Sequence, residues 1–242
     1  MSRRLTTLVL LFAIGGLALA GCTDQRATDQ RNTEAPKPRA ARTGLTNVRA
    51  LDVVSGVLPV QASAAGEVTL FADGKQVGPA GGDPARFSWD TAGSPDGLVE
   101  LVLRQGEKEL DRKRVVVLNR GAEVFFKNGS GGKVVVPPTG YQHQHLRYHW
   151  DQNEPARKVL ALLTWDQPGF DLELALGRGT CPHHGEQVAA GHGTSSPVVV
   201  THEAPDSLPT GQWFAHVRLI NESGSAVLGK ETAFQVRAYV LR

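Results

Sequence analysis

The sequence predicts an all-β protein built as two tandem β-sandwiches, and three observations predict it. Short runs rich in Val, Leu, Phe and Trp recur beyond Leu45, each bounded by Gly, Pro, Asn or Asp, the composition of strands and of the turns that join them. Turn signals arrive roughly every ten residues, the spacing of a sandwich. No window of helical length places apolar residues three and four apart. The nearest, Arg104 to Arg114, is interrupted by Gly106 and reads as the charged end of a hairpin.

The chain opens with a segment that belongs to neither sandwich. Arg3 and Arg4 precede an uncharged run from Leu5 to Ala20, which closes on Leu19-Ala20-Gly21-Cys22. A basic start, an apolar middle and small residues at the cut are the parts of a secretory signal, here 1–21. The run is too short and too rich in Gly and Ala for a comfortable membrane span, which needs about 20 apolar residues. Residues 22–44 carry mixed charge and almost no large apolar side chain. Such a segment cannot bury enough surface to offset its ordering entropy, so it is expected to be a disordered tether.

Residues 45–119 form the first expected sandwich. Val57-Leu58-Pro59-Val60, Val68-Thr69-Leu70-Phe71, Val99 to Leu103 and Val115 to Leu118 read as strands. Asp73-Gly74 is a two-residue hairpin signal, because both central positions of that turn need positive φ. Trp89 is expected to fill the core between the sheets, and Asp96-Gly97 to make a second tight turn. Residues 120–242 form the second sandwich. Its strands are Val159 to Trp165, Phe170 to Leu176, Val198 to Val200, Gly211 to Arg218 and a last one from Ala233 to Leu241. Asn119-Arg120-Gly121 is a short polar junction, so the two halves, each with aromatic residues of its own, are expected to be separable.

Charge and cysteine content exclude several roles. Lys plus Arg number 26 and Asp plus Glu 24, and Arg3 and Arg4 leave with the signal. A nearly neutral chain lacks the basic face that nucleic acid demands, and it gives anionic lipid no electrostatic hold. The two cysteines are Cys22 and Cys181. With Cys22 used at the cut site, Cys181 has no intrachain partner, and the fold is expected to rest on apolar cores.

Enzyme motifs are missing. Gly129-Ser130-Gly131-Gly132-Lys133 invites a phosphate-loop reading, but Lys127 stands where the first glycine is required and Val134 replaces the magnesium-binding hydroxyl. There is no Gly-x-Ser-x-Gly elbow and no His-Glu-x-x-His helix. No catalytic residue and no cofactor is expected.

Histidine is the anomaly: all eight lie in the second half, at 143, 145, 149, 183, 184, 192, 202 and 216. Cys181, His183, His184 and Glu186 crowd a short loop and His192 follows across glycines. Thiolate, imidazole and carboxylate together suit zinc or copper, which makes Cys181, His183, His184 and His192 the candidate metal ligands. Against this, the spacing matches no established zinc module, and the glycines of 179–193 describe an exposed loop. His143 and His145, two apart, share a face if they lie on a strand. Asp166 and Asp171 flank the Gln167-Pro168-Gly169 turn, where they could hold calcium or merely cap a hairpin. Tyr141, Tyr148, Trp150, Trp165, Trp213 and Phe214 offer a sugar-stacking set. Trp165 and Trp213 are expected in the core, while Tyr141, Tyr148 and Trp150, set among polar residues, are the candidates for an exposed patch.

Three resemblances add to this reading. Leu19-Ala20-Gly21-Cys22 resembles the lipobox of bacterial lipoproteins. That implies an acylated Cys22 as the new N-terminus, with palmitate among its chains, and anchorage in the cell envelope. Thr23 rather than Asp follows the cysteine, which in a Gram-negative cell is compatible with the outer membrane. Val54-Ser55-Gly56, Val68 to Gly78, Phe87-Ser88-Trp89-Asp90-Thr91, Asp96-Gly97 and the alternating Val99, Leu101 and Leu103 resemble a bacterial immunoglobulin-like domain, which implies an Ig-like sandwich with a spacer or adhesive role. Leu163-Thr164-Trp165-Asp166, Asp171 to Leu174 and Pro209 to Trp213 resemble the pre-peptidase C-terminal domain, which implies a jelly-roll-like, non-catalytic accessory sandwich. The function expected is that of a non-enzymatic envelope lipoprotein presenting a binding, adhesive or accessory surface. Its partners would be the bilayer, through Cys22, and an envelope protein or polysaccharide. The alternative is a metal-binding envelope protein using the Cys181/His loop.

Overall fold

The computed structural model describes residues 43–137, 144–180, 185–220 and 226–242. Cys22 and the tether as far as residue 42, with Tyr141, His143, Cys181, His183 and His184, lie outside the described residues; Gly44, expected as the last residue of the tether, instead begins a strand and pairs with Ser63. The described chain is all-β and forms two tandem sandwiches.

The first sandwich is built from β1 (Gly44–Leu45), β2 (Val53–Val54), β3 (Val57–Ser63), β4 (Val68–Ala72), β5 (Lys75–Ala80), β6 (Ala85–Asp90), β7 (Gly97–Gln105) and β8 (Lys108–Val117). One sheet runs β1-β3-β6 and the other β2-β8-β7-β4-β5; only β2 and β8 pair in parallel. The expected hairpin is present: Asp73 and Gly74 have φ of 45° and 76° and join β4 to β5, a conformation glycine adopts freely and aspartate tolerates. The Arg104–Arg114 stretch is the β7–β8 hairpin end, as its glycine implied. Alternation sorts the side chains. Phe87 and Trp89 of β6 face Leu70, Leu101, Leu103, Val115 and Val117 across the sandwich, and Trp89 is 4% exposed.

The second sandwich is built from β9 (Ala122–Glu123), β10 (Gly131–Val135), β11 (His145–Gln152), β12 (Lys158–Trp165), β13 (Leu172–Arg178), β14 (Glu186–Gly193), β15 (Val198–Glu203), β16 (Gly211–Leu219) and β17 (Glu231–Leu241). One sheet runs β10-β17-β12-β15, with β9 also on β17; the other runs β11-β16-β13-β14. Their facing sides meet on Leu163, Leu172, Leu174, Trp213, Val217 and Val236. Two expectations change here. Asp166 to Asp171 does not close a hairpin, because β12 and β13 lie in different sheets; the turn carries the chain across the sandwich and drives Phe170 into the core. The expected loop at 179–193 is largely strand: β14 is the edge partner of β13 over Leu172 to Arg178. Its Ala- and Gly-rich sequence hides it, since strand propensity comes from packing large side chains that an edge strand need not have.

The junction between the sandwiches is pinned. The Asp96 carboxylate accepts the backbone N–H of Asn119, Arg120 and Gly121 at 2.8, 2.9 and 2.7 Å. So the Asp96-Gly97 turn holds the linker instead of merely reversing the chain. Beyond it, the outward faces of two sheets bury one another: Leu51 and Val116 from the first half pack with Leu160, Leu162, Tyr239 and Leu241 from the second. Each fully buried side chain of this size contributes about 1.5–3 kcal/mol. The Arg237 guanidinium adds a hydrogen bond to the Leu51 carbonyl at 2.8 Å. The polar junction expected to let the halves separate is therefore flanked by an apolar contact.

Candidate binding surface

The strap between β9 and β10 shapes one side of the second sandwich. Val124 N–H bonds the Ala238 carbonyl of one sheet at 2.8 Å, and Lys127 N–H bonds the His149 carbonyl of the other at 2.9 Å. Alternation across this short bridge points neighbouring aromatics in opposite directions. Phe126 goes inward, 4% exposed, with ring centroids 5.6 Å from Tyr148 and 5.8 Å from Trp150. Phe125 goes outward and is 89% exposed. It lines two depressions, of about 310 and 430 Å³. Asp151, Asn153 and Glu154 line the first, and Lys127, Gln235 and Arg237 the second. Phe125 was not among the expected aromatics. The signal was the pair Phe125-Phe126 itself, since two adjacent aromatics on extended chain cannot both enter one core.

The expected aromatic patch is corrected. Tyr148 and Trp150 are each 3% exposed and belong to the core, with Trp165 and Trp213. On β11 they alternate with polar residues, so Leu146, Tyr148 and Trp150 face inward and His145, Arg147 and His149 outward. Burial pushes the Tyr148 hydroxyl up to about 12.

The outward face of β11-β16-β13-β14 gathers the histidines. Register aligns His145 with Arg218, Glu173 and His192; Arg147 with His216, Ala175 and Ala190; and His149 with Phe214 and Gly177. Gly177 is required there, since a Cβ would stand 2.1 Å from Phe214 Cζ. His145 Nδ1 and His216 Nε2 are 2.9 Å apart, with rings within 6° of parallel. Arg218 donates to Glu173 at 2.7 Å and Lys127 to Asp151 at 2.7 Å. Arg147 makes no side-chain hydrogen bond or ion pair among the described residues, and its buried Nε, like His149 Nδ1, has no partner.

Of the candidate metal ligands, only His192 is described. It lies six residues along β14 from Glu186, with Nδ1 3.1 Å from the Asp171 carboxylate. No group of three or more His, Cys, Asp or Glu is gathered at metal-binding distance among the described residues.

His149 sits in a positive field. Partial burial, then the charge of Arg147, then that of Lys127 hold its pKa below the ordinary imidazole value. The unfolded chain therefore binds more protons than the folded one as pH falls through the ordinary histidine range. The stabilising contribution of a neutral His149 is complete above that range and is lost as pH drops toward its lowered folded value. Titration followed by imidazole NMR should show His149 protonating below a free histidine, and Arg147→Gln should move it up. A His149 titrating at or above the free value would contradict this field.

Comparison with protein-family models returns no match, and comparison with curated proteins returns none. Among solved structures, the chain is similar to the fibronectin(III)-like modules of Clostridium thermocellum CbhA at 19% identity, over 32% of this chain and 94% of that one, with a TM-score of 0.26. It is also similar to carbohydrate-binding modules of the β-sandwich superfamily at 10% identity, over 83% and 97%, with a TM-score of 0.28. A third likeness, at 9% identity over 80% and 50%, is to the secreted serine protease VesC of Vibrio cholerae, with a TM-score of 0.23. These are distant likenesses, and the sandwich architecture rests on the strand pairings themselves.

Proposed function

We propose that this is a non-enzymatic, lipid-anchored envelope protein whose Phe125 edge binds polysaccharide. Signal 1–21, acylated Cys22 and the tether that follows it deliver the two sandwiches to the envelope surface. The second sandwich then recognises the ligand, and the first spaces it from the membrane. The observation that carries the binding reading is Phe125, 89% exposed and shared by two depressions lined by carboxylates, amides and cationic groups. Leaving a phenylalanine in water forgoes about 1.5–3 kcal/mol of burial, and a strap bonded to both sheets holds this one out. A pyranose has a matching character. Its C–H face covers an aromatic ring, while its hydroxyls reach polar groups on either side.

Electrophoresis through gels containing soluble polysaccharides, neutral and acidic, tests this. The full-length protein in detergent should be retarded by at least one. Phe125→Ala should abolish the retardation and Phe125→Trp keep it, with thermal stability little changed because the side chain is exposed. Failure of the whole panel, or an unaltered Phe125→Ala protein, would refute the reading.

A further inference from the structure

Resting on that reading, we infer that the recognised polysaccharide is a polyuronate whose carboxylate is taken by Arg147 on the outward face of β11. Three observations carry this. The first is continuity. Phe125 is two residues from Lys127, whose N–H bonds the His149 carbonyl. Asn128 then accepts the His149 N–H at 3.3 Å and donates to the Arg147 carbonyl. At strand spacings, the path from Phe125 round the edge to Arg147 is roughly 10–15 Å, within reach of a short run of sugars.

The second is charge. Arg218 is held by Glu173 and Lys127 by Asp151, while Arg147 has no counter-ion among the described residues of this face. One uncompensated guanidinium calls for one monoanion per contact, which a uronate supplies. Its planar fork also matches a carboxylate in two parallel hydrogen bonds. The two guanidinium groups beside His145 and His216 argue equally against a metal cation at that imidazole pair.

The third is the row itself. Beyond His216, the residues in register with Arg147 are Ala175, which is buried, and Ala190, which is exposed, so the row carries no carboxylate to compete for the guanidinium.

The test compares retardation of the full-length protein, in detergent, by polygalacturonate and by the neutral hydroxyethylcellulose. It adds NMR titration of the Arg147 Nε–H with sn-glycerol 3-phosphate, which carries the chemistry of an anionic lipid headgroup without a bilayer. Polygalacturonate should bind roughly tenfold more tightly, the scale of one charge-assisted contact. The preference should fade as salt approaches ~1 M, where screening acts within ~3 Å. Arg147→Gln should lower binding of polygalacturonate to that of the neutral polymer, and Arg147→Lys, which keeps charge but loses the fork, should fall between them. Near-ultraviolet circular dichroism identical to the parent's would establish that each variant is folded.

Equal binding of the two polymers, or a preference that survives Arg147→Gln, would overturn the inference and leave the glycan reading standing. Binding of neither polymer would overturn both. An Arg147 Nε–H that shifts with glycerol phosphate in a protein that does not bind polygalacturonate would overturn the inference and assign the face to lipid headgroups.

Discussion

Trp89→Ala is expected to destabilise the protein by about 3–5 kcal/mol, the range for deleting a large buried aromatic. Trp89 is 4% exposed and lies opposite Leu58 in the β3–β6 ladder, over a core that includes Leu70, Leu101 and Val117. In the facing sheet β8, β7 and β4 are each hydrogen-bonded on both sides, so they cannot close onto the vacated volume without moving their neighbours. The size of the cavity, rather than the loss of one contact, therefore sets the cost. Urea unfolding followed by far-ultraviolet circular dichroism measures it. A cost below about 1 kcal/mol would place Trp89 at a surface.

Cys22→Ser is expected to have the largest effect in the cell. On the proposed anchoring, the sulfur carries the diacylglycerol, and two or three acyl chains at about 0.8 kcal/mol per buried methylene hold the protein at the bilayer almost permanently. A serine leaves either precursor with its signal attached or a soluble exported product. Metabolic labelling with a fatty-acid analogue should mark the parent and not the variant. A labelled Cys22→Ser protein would sink the anchoring proposal.

The strands that were legible in the sequence are those whose pattern is decided by burial. Val115-Val116-Val117 and Val159 to Leu163 read as unbroken apolar runs because both faces of β8 and β12 are covered. Val115 and Val117 enter the first core, while Val116 turns outward to meet Leu160 and Leu162. Continuous rather than alternating hydrophobicity is what a strand buried on both sides requires, a sign of the contact between the sandwiches that the expectation of separable halves passed over. The strands that were missed have edge positions or mixed composition. β14 offers little but Ala, Gly and Gln to read. β11 concealed a clean alternation, Leu146, Tyr148 and Trp150 against His145, Arg147 and His149, behind its histidines. Its aromatics then read as surface when they are core.

The candidate surface was less legible, for a physical reason. Phe125 acquires its meaning only from the strap that crosses between the two sheets, and the cationic face only from the register that sets Arg147 beside His216 and His145 beside Arg218. Residues 71 apart, as His145 and His216 are, carry no spacing signal that a motif could hold. The concentration of histidines in the second half pointed to the right sandwich, and the chain's near-neutral sum concealed a local excess of positive charge on one of its faces.

The most direct test of the account is the NMR response of ring-labelled phenylalanines to a short oligosaccharide, either cellotriose or a galacturonate trimer. The account predicts that the Phe125 ring shifts with a saturable dependence on at least one of them, while the buried rings of Phe126, Phe170 and Phe214 stay in place. A Phe125 resonance unmoved by either sugar at millimolar concentration would contradict the claim that this edge is the protein's binding surface.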